Sequence, residues 1–180
     1  MNICVYGSAS DKINKTFLTE TELLGKLIAK NGHGLIFGGG GAGVMGACAR
    51  GAYSENGKIT GIVPSFFNVD GVLFDKCTEI IYTETMRERK KTLEELSDVF
   101  VVAPGGIGTF DEFFEIFTLQ NLKRHNKPIF LLNILGYYDG ILDTLRKAVE
   151  GAFLSKEAVD RLIVVQTPIE LMDKIKTITE

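Results

Sequence analysis

Seven short apolar runs rich in β-branched residues, each separated from the next by a longer polar stretch that is mostly of helical period, leave this chain few folds to choose from. The runs lie at 3–6, 35–37, 59–63, 79–82, 99–103, 129–133 and 163–165. Helix-period stretches fall at 15–31, 43–55, 85–97, 109–124, 138–151 and 168–178. Such alternation implies an α/β architecture, a doubly wound parallel sheet flanked by helices on both faces. The runs VFVVA and IFLLN carry no polar residue before their last position, as burial on two sides requires. No linker, charge block or repeat divides the 180 residues, so one domain spanning 1–180 is expected. Ligands of such sheets bind at the carboxyl ends of the strands.

The remaining composition excludes several classes. A formal net charge of -3 provides no overall basic field for nucleic acid, and no apolar run reaches the length of a membrane span. The opening MNICVYGSAS has no charged segment followed by a long apolar one, so the chain reads as cytoplasmic. Cys4, Cys48 and Cys77 are widely spaced and odd in number, which suits small buried thiols rather than a zinc cluster or a disulfide framework. Glycine is the outlier: 20 of 180 residues, against a typical roughly 7%.

Two glycine clusters each follow a strand and open a helix. In FGGGGAGVMG, Gly41, Gly43 and Gly46 match the spacing of a dinucleotide-binding turn. The acidic residue which that reading needs about 20 residues on is replaced by Pro64 and Ser65, and no Lys-Ser/Thr pair follows to make a nucleotide P-loop. Close packing of helix on strand is the alternative use of these glycines. In VVAPGGIGTFDEFFE, Pro104 ends the strand, and Gly105, Gly106 and Gly108 leave backbone amides unshielded before a helix beginning near Thr109. That is a ready anion site. Thr109 and Glu112 also have the T-x-x-E spacing of a capping box, which would make Glu112 purely structural.

The helix that follows is apolar nearly all round. Phe110, Phe113, Phe114 and Phe117 share one side, while Ile116 and Leu119 lie on the other with Glu112, and Glu115 is close by. Carboxylates on a buried wall are costly unless paired or used. The excess of apolar surface also suits a subunit interface, and a homodimer is expected. A second anomaly is TETMRERKKTLEELS: Met86, Leu93 and Leu96 mark an inward face on which Arg89 and Lys90 also fall. Both cations either snorkel to solvent or meet an anion held by the PGGIGT loop.

A phosphate cradle, two cations and one or two carboxylates suit a small phosphorylated ligand. His33 and His125 fall in helix-to-strand turns at the opposite end of the sheet, which argues against a Ser-His-Asp hydrolase or a histidine metal centre. Cleavage of an N-glycosidic bond, whose oxocarbenium-like transition state a carboxylate stabilises, is one chemistry open to such a site.

The motifs Pro104-Gly105-Gly106-Ile107-Gly108-Thr109-Phe110-Asp111-Glu112 and Met86-Arg87-Glu88-Arg89-Lys90 resemble the PGGxGTxxE and M-x-x-R-K fingerprints of the Lonely Guy family of cytokinin riboside 5'-monophosphate phosphoribohydrolases. The likeness extends through ICVYGSAS, FGGGGAGVMG, KPIFLLNILGYYDGIL and AFLSKEAVDRLIVV. The resemblance implies a Rossmann-like dimer that splits a nucleoside 5'-monophosphate into base and ribose 5-phosphate without metal or cofactor. Arg89 and Glu112 would be the catalytic pair, with Lys90, Gly106, Gly108, Thr109 and Thr118 contacting the nucleotide. Met86, Gly105, Ile107, Glu115, Gly39, Gly40 and Ser8 complete the candidate binding set. The sequence departs from the family at Gly71, with Asp70 beside it, where an acidic residue is usual, and at Thr85 in place of an aspartate. Relatives are also labelled lysine decarboxylase, but no lysine here has the setting pyridoxal chemistry needs. A non-catalytic nucleotide carrier of the same fold is the competing reading.

Overall fold

The computed structural model describes residues 1–67 and 71–179. Among these residues seven strands form one parallel sheet: β1 (Asn2–Tyr6), β2 (Gly34–Phe37), β3 (Ile59–Pro64), β4 (Glu79–Thr83), β5 (Val99–Val102), β6 (Ile129–Leu132) and β7 (Leu162–Val165). Their order is β4-β3-β2-β1-β5-β6-β7. The chain therefore builds outward from β1 in one direction, returns to β5, and builds outward in the other. The crevice at that reversal lies between β1 and β5, which pair from Ile3 with Val99 to Tyr6 with Val102. In a sheet of this kind it is where a ligand is expected.

Period-two alternation divides the core. Ile3 and Val5 face one side with Leu24 and Ile28 of α1 (Lys15–Lys30), Cys48 of α2 (Gly43–Ser54) and Leu171 of α7 (Pro168–Thr179). Cys4 and Tyr6 face the other, where Leu93 of α3 (Met86–Leu96), Phe113 of α4 (Ile107–Asn121), Leu145 of α5 (Asp139–Glu150) and Ala158 of α6 (Lys156–Asp160) pack. The doubly wound, Rossmann-like sheet expected from the alternation is present. Helix α6 was not anticipated: five residues are too few to establish a period, and only Ser155, whose hydroxyl accepts from the Ala158 amide, marks its start.

Local chemistry explains the helix starts. Asn14 caps α1 through the Thr16 amide at 3.0 Å. Thr85, where the family's aspartate is absent, opens α3 with a full capping box: its hydroxyl accepts from the Glu88 amide, and the Glu88 carboxylate accepts from the Thr85 amide. Helices α1 and α2 meet through glycine. A Cβ on Gly25 would lie 1.9 Å from the Cys48 carbonyl oxygen, so any side chain there would force the helices apart.

The inward face of α3 differs from the expected one. Leu93 is fully buried, but Met86 and Leu96 are exposed, and the second inward residue is Arg89. Helix α4 begins at Ile107, not near Thr109. Gly106 is its N-cap, so Thr109 and Glu112 both lie inside the helix and form no capping box.

Candidate functional site

The loops after β1 and β5 are tied at the crevice by the Ser8 amide, which donates to the Pro104 carbonyl at 3.1 Å. Two tyrosines buttress the second loop: the Tyr137 hydroxyl donates to Gly105 O at 2.6 Å and the Tyr138 hydroxyl to Ala103 O at 2.7 Å. Gly105 is required for this closeness, since a Cβ there would meet Thr109 Oγ1 at 2.1 Å and the Ser8 amide at 2.9 Å. Above the crevice opens a cavity of about 580 Å³, lined on one side by Gly7–Ser10, Gly106, Gly108 and Thr109 and on another by Met45, Phe67 and Met86. Arg89, Asp111 and Glu112 complete its lining.

The two glycine loops differ in what their helix starts present to an anion. At the start of α2 the Gly43 amide donates to Asp11 Oδ1 at 2.8 Å, and the Met45 amide to Ser8 O at 3.2 Å. A carboxylate of the chain itself thus occupies that helix terminus. At the start of α4 no side chain caps the helix, and among the described residues no acceptor bonds the amides of Ile107, Gly108 or Thr109. The first turn of a helix without such partners carries both donors and the positive end of the dipole. Gly106 and Gly108 would meet nothing within 4 Å if given a Cβ, so their faces are open to the cavity.

Of the first cluster only Met45 lines the cavity. Gly39 and Gly40, expected to contact a ligand, do not line the cavity: Gly39 has φ +79° and lies against Val63, and Gly40 bridges to Leu73. Gly46 lacks a side chain because a Cβ would lie 2.1 Å from Gly41 O.

Arg89 and Glu112 come together although they sit on different helices. Arg89 Nη1 donates to Glu112 Oε1 at 2.8 Å, and Arg89 Nε donates to Ile62 O at 3.1 Å. Both are buried, with 7% and 8% of their surface exposed. Burial pushes the Glu112 carboxyl above its ordinary value, and the Arg89 charge pulls in the opposite direction without cancelling it. Beneath the pair lie Tyr6 and Cys4; burial and the Glu112 charge hold the tyrosine well above its ordinary value and push the Cys4 thiol up to about 12. None of the three cysteines is in a disulfide; Cys4 and Cys48 are buried as expected, whereas Cys77, expected to be buried with them, is only half-buried.

Lys90 does not line the cavity, although its partner Asp111 does. It pairs with Asp111 Oδ2 at 3.1 Å and with Glu115, forming an outer rung between α3 and α4 beside the buried Arg89–Glu112 rung. The two cations were expected to share one anion, but consecutive residues of a helix point about 100° apart, and the carboxylates of α4 divide them. Glu115, Ile107 and Thr118 also lie off the cavity, with Ile107 and Thr118 exposed. Of the candidate binding residues, Ser8, Met86, Gly106, Gly108 and Thr109 line it. Asp70 lies outside the described residues, and Gly71 has φ +78° with open space around it.

Sequence reasoning missed Asp11, Ser10, Met45, Phe67 and Asp111. The fingerprint segment contains Asp111 but treats it as a spacer, and nothing local distinguishes Asp11 from a solvent-facing loop residue. Among the described residues no group of His, Cys, Asp and Glu could hold a metal ion, and no helix is long and apolar enough to cross a membrane. His125 is a core residue whose Nδ1 accepts from the Lys127 amide while Nε2 faces Ile116 O at 2.9 Å.

The chain is similar to known proteins along most of its length. The profile of the family described as "Possible lysine decarboxylase" matches residues 45–175. A probable cytokinin riboside 5'-monophosphate phosphoribohydrolase of Oryza sativa subsp. japonica is 32% identical over 97% of this chain and 70% of that protein. A protein of Mycobacterium tuberculosis named cytokinin riboside 5'-monophosphate phosphoribohydrolase is 36% identical over 91% of this chain and 87% of its own. Among solved structures, the molybdenum cofactor carrier protein of Chlamydomonas reinhardtii superposes with a TM-score of 0.75 at 23% identity, covering 98% of this chain and 96% of that one, a likeness of fold alone. With the two fingerprints on facing helices, and relatives of this identity and coverage, the chain belongs to the Lonely Guy family, the phosphoribohydrolase-type members of the group described as possible lysine decarboxylases.

Proposed function

We propose that the protein hydrolyses the N-glycosidic bond of a nucleoside 5'-monophosphate, AMP or a cytokinin riboside 5'-monophosphate, to free base and ribose 5-phosphate. The observation that carries this reading is the buried Arg89–Glu112 pair lining the same cavity as the uncapped start of α4. A phosphate on the amides of Ile107–Thr109, assisted by the Ser8 and Ser10 hydroxyls, places the ribose over Glu112 and the base against Met45, Phe67 and Met86. The bond from C1′ to the base nitrogen breaks with its electron pair leaving on the base. A water oxygen then bonds C1′ while its proton passes to Glu112, and the base nitrogen takes up a proton from solvent. The Glu112 carboxylate faces the positive charge that develops on the sugar, and Arg89 keeps that carboxylate ionised and aimed. Glu115 is committed to Lys90, which supports Glu112 as the residue that handles the proton.

The working form under this proposal is a homodimer. Ile107, Phe114 and Leu122 lie along one side of α4 and are exposed, Ile107 at 85%, with Thr118 on the same stripe, and Met86 and Leu96 of α3 are exposed as well. Light scattering at micromolar concentration is expected to return twice the 19.8 kDa chain mass. The activity is tested by incubating the protein with nucleoside mono-, di- and unphosphorylated forms and separating products by HPLC. Base release from monophosphates alone is expected. Binding of a monophosphate with no base released from any of them would overturn the enzyme reading in favour of a carrier.

A further inference from the structure

The Arg89 guanidinium is held from three sides, and one of those sides is an absence. Its Nε donates to Ile62 O in β3, and its Nη1 donates to Glu112 in α4. Its Nη2 rests against Gly38, the first residue after β2, so closely that a Cβ there would lie 2.1 Å from Nη2 and 3.3 Å from Cζ. Gly38 is not among the glycines with positive φ, unlike Gly39 and Gly43 in the same loop. The backbone at this position therefore suits any residue, and only the space above it calls for glycine.

We propose that Gly38 is a positioning residue of the site: having no side chain, it leaves the room the Arg89 guanidinium must fill to meet Glu112. The inference rests on the phosphoribohydrolase reading above. Its consequence is specific, because the atom that a methyl would strike is the end of a flexible side chain rather than backbone. The fold can yield by moving Arg89, and the cost then falls on the Arg89–Glu112 pair and the geometry of the site rather than on the surrounding backbone. Displacement of a catalytic group by about 1 Å costs on the order of 100-fold in rate. Glu112 would keep its other charged and titratable neighbours, Tyr6 and Cys4 from β1, Lys90 and Glu94 from α3, and Asp111 and Glu115 from its own helix. Only its guanidinium partner would be withdrawn.

The test compares wild type, Gly38→Ala and, as a control for glycine replacement in general, Gly140→Ala, where a Cβ would meet nothing within 4 Å. Gly38→Ala is expected to fold and to melt below wild type by no more than Arg89→Met does, to lose about 100-fold in kcat with KM changed far less, and to shift the Glu112 carboxyl titration, followed by ¹³C NMR, to higher pH. Gly140→Ala should match wild type throughout. An unchanged kcat and an unchanged Glu112 titration in folded Gly38→Ala overturn the proposal while leaving the activity in place. If wild type releases no base, the function falls, and the carboxyl titration still decides whether Gly38 seats Arg89. Should Gly38→Ala not fold, the double variant Gly38→Ala/Arg89→Ala must restore folding by emptying the contested space; its failure to do so also overturns the proposal.

Discussion

Arg89 Nη1 lies 2.8 Å from Glu112 Oε1, a charge-assisted hydrogen bond between two side chains that are 23 residues apart and almost wholly buried beside an open cavity. Burial works against both charges, so each depends on the other, and the pair remains accessible to a ligand on one side only. Replacing Glu112 by Gln keeps shape and one hydrogen bond while removing the carboxylate. Turnover of a nucleoside monophosphate is expected to fall by roughly 10³-fold, within the range for loss of a general acid or base. The dissociation constant, measured by calorimetry, should stay within a few-fold of wild type.

Removing Arg89 has a different signature. Arg89→Met leaves the Glu112 carboxylate buried without its counter-charge, which costs about 3 kcal/mol. At roughly 2–4 °C per kcal/mol for a chain of this size, the melting temperature should drop by about 10 °C. Differential scanning calorimetry checks this, and a drop of under 2 °C would show that the pair is far more solvated than its burial indicates.

The pH dependence follows from the direction of the Glu112 shift. Its carboxyl titrates above the ordinary value because burial outweighs Arg89. Under the proposed mechanism the working form is the carboxylate, so the acid limb of the kcat/KM profile should have its midpoint above pH 4.5, the ordinary glutamate value. Between that ordinary value and the raised one, the folded state holds its proton more tightly than the unfolded chain does. The contribution of Glu112 to stability therefore falls as pH rises through this window and is level above it. Arg89→Met should move the acid limb further up.

Gly105 and Gly106, adjacent in sequence, should separate stability from binding. A methyl at Gly105 runs into Thr109 and the Ser8 amide, so Gly105→Ala should destabilise by about 1–3 kcal/mol in urea unfolding. Gly106 has φ -92° and open space, so Gly106→Ala should unfold as wild type does. Its methyl would instead project where the phosphate is proposed to sit. The affinity for ribose 5-phosphate, titrated calorimetrically, should fall at least tenfold, and an unchanged affinity would place the phosphate elsewhere.

Much of the architecture can be read from local pattern. VFVVA and IFLLN are recognisable as doubly covered strands, and the break from such runs to PGGIGT places a helix terminus at the carboxyl edge of the sheet. Thr109 and Glu112 imitate a capping box in the sequence, whereas α4 begins two residues earlier, just after the extended backbone of Gly106. Periodicity places Met86 and Leu96 inward, yet both are exposed, because the inward face of an amphipathic helix is set by what packs against it. On α3 that is Leu93 and an arginine.

Alternation of strand and helix, the position of the glycine loops and the two fingerprints all follow from residues close together in the chain, because strand burial, turns and helix caps are short-range chemistry. Which loop could accept an anion was settled by folding. Asp11, 32 residues before Gly43, reaches from the loop after β1 to the start of α2, while among the described residues no side chain reaches the start of α4. Folding also sorted the cations: Arg89 was drawn inward between Ile62, Gly38 and Glu112, and Lys90 outward to Asp111 and Glu115. A local pattern records that a charge lies on a buried face. Its partner is determined by which elements the sheet order brings within hydrogen-bond distance, and that depends on contacts distant in sequence.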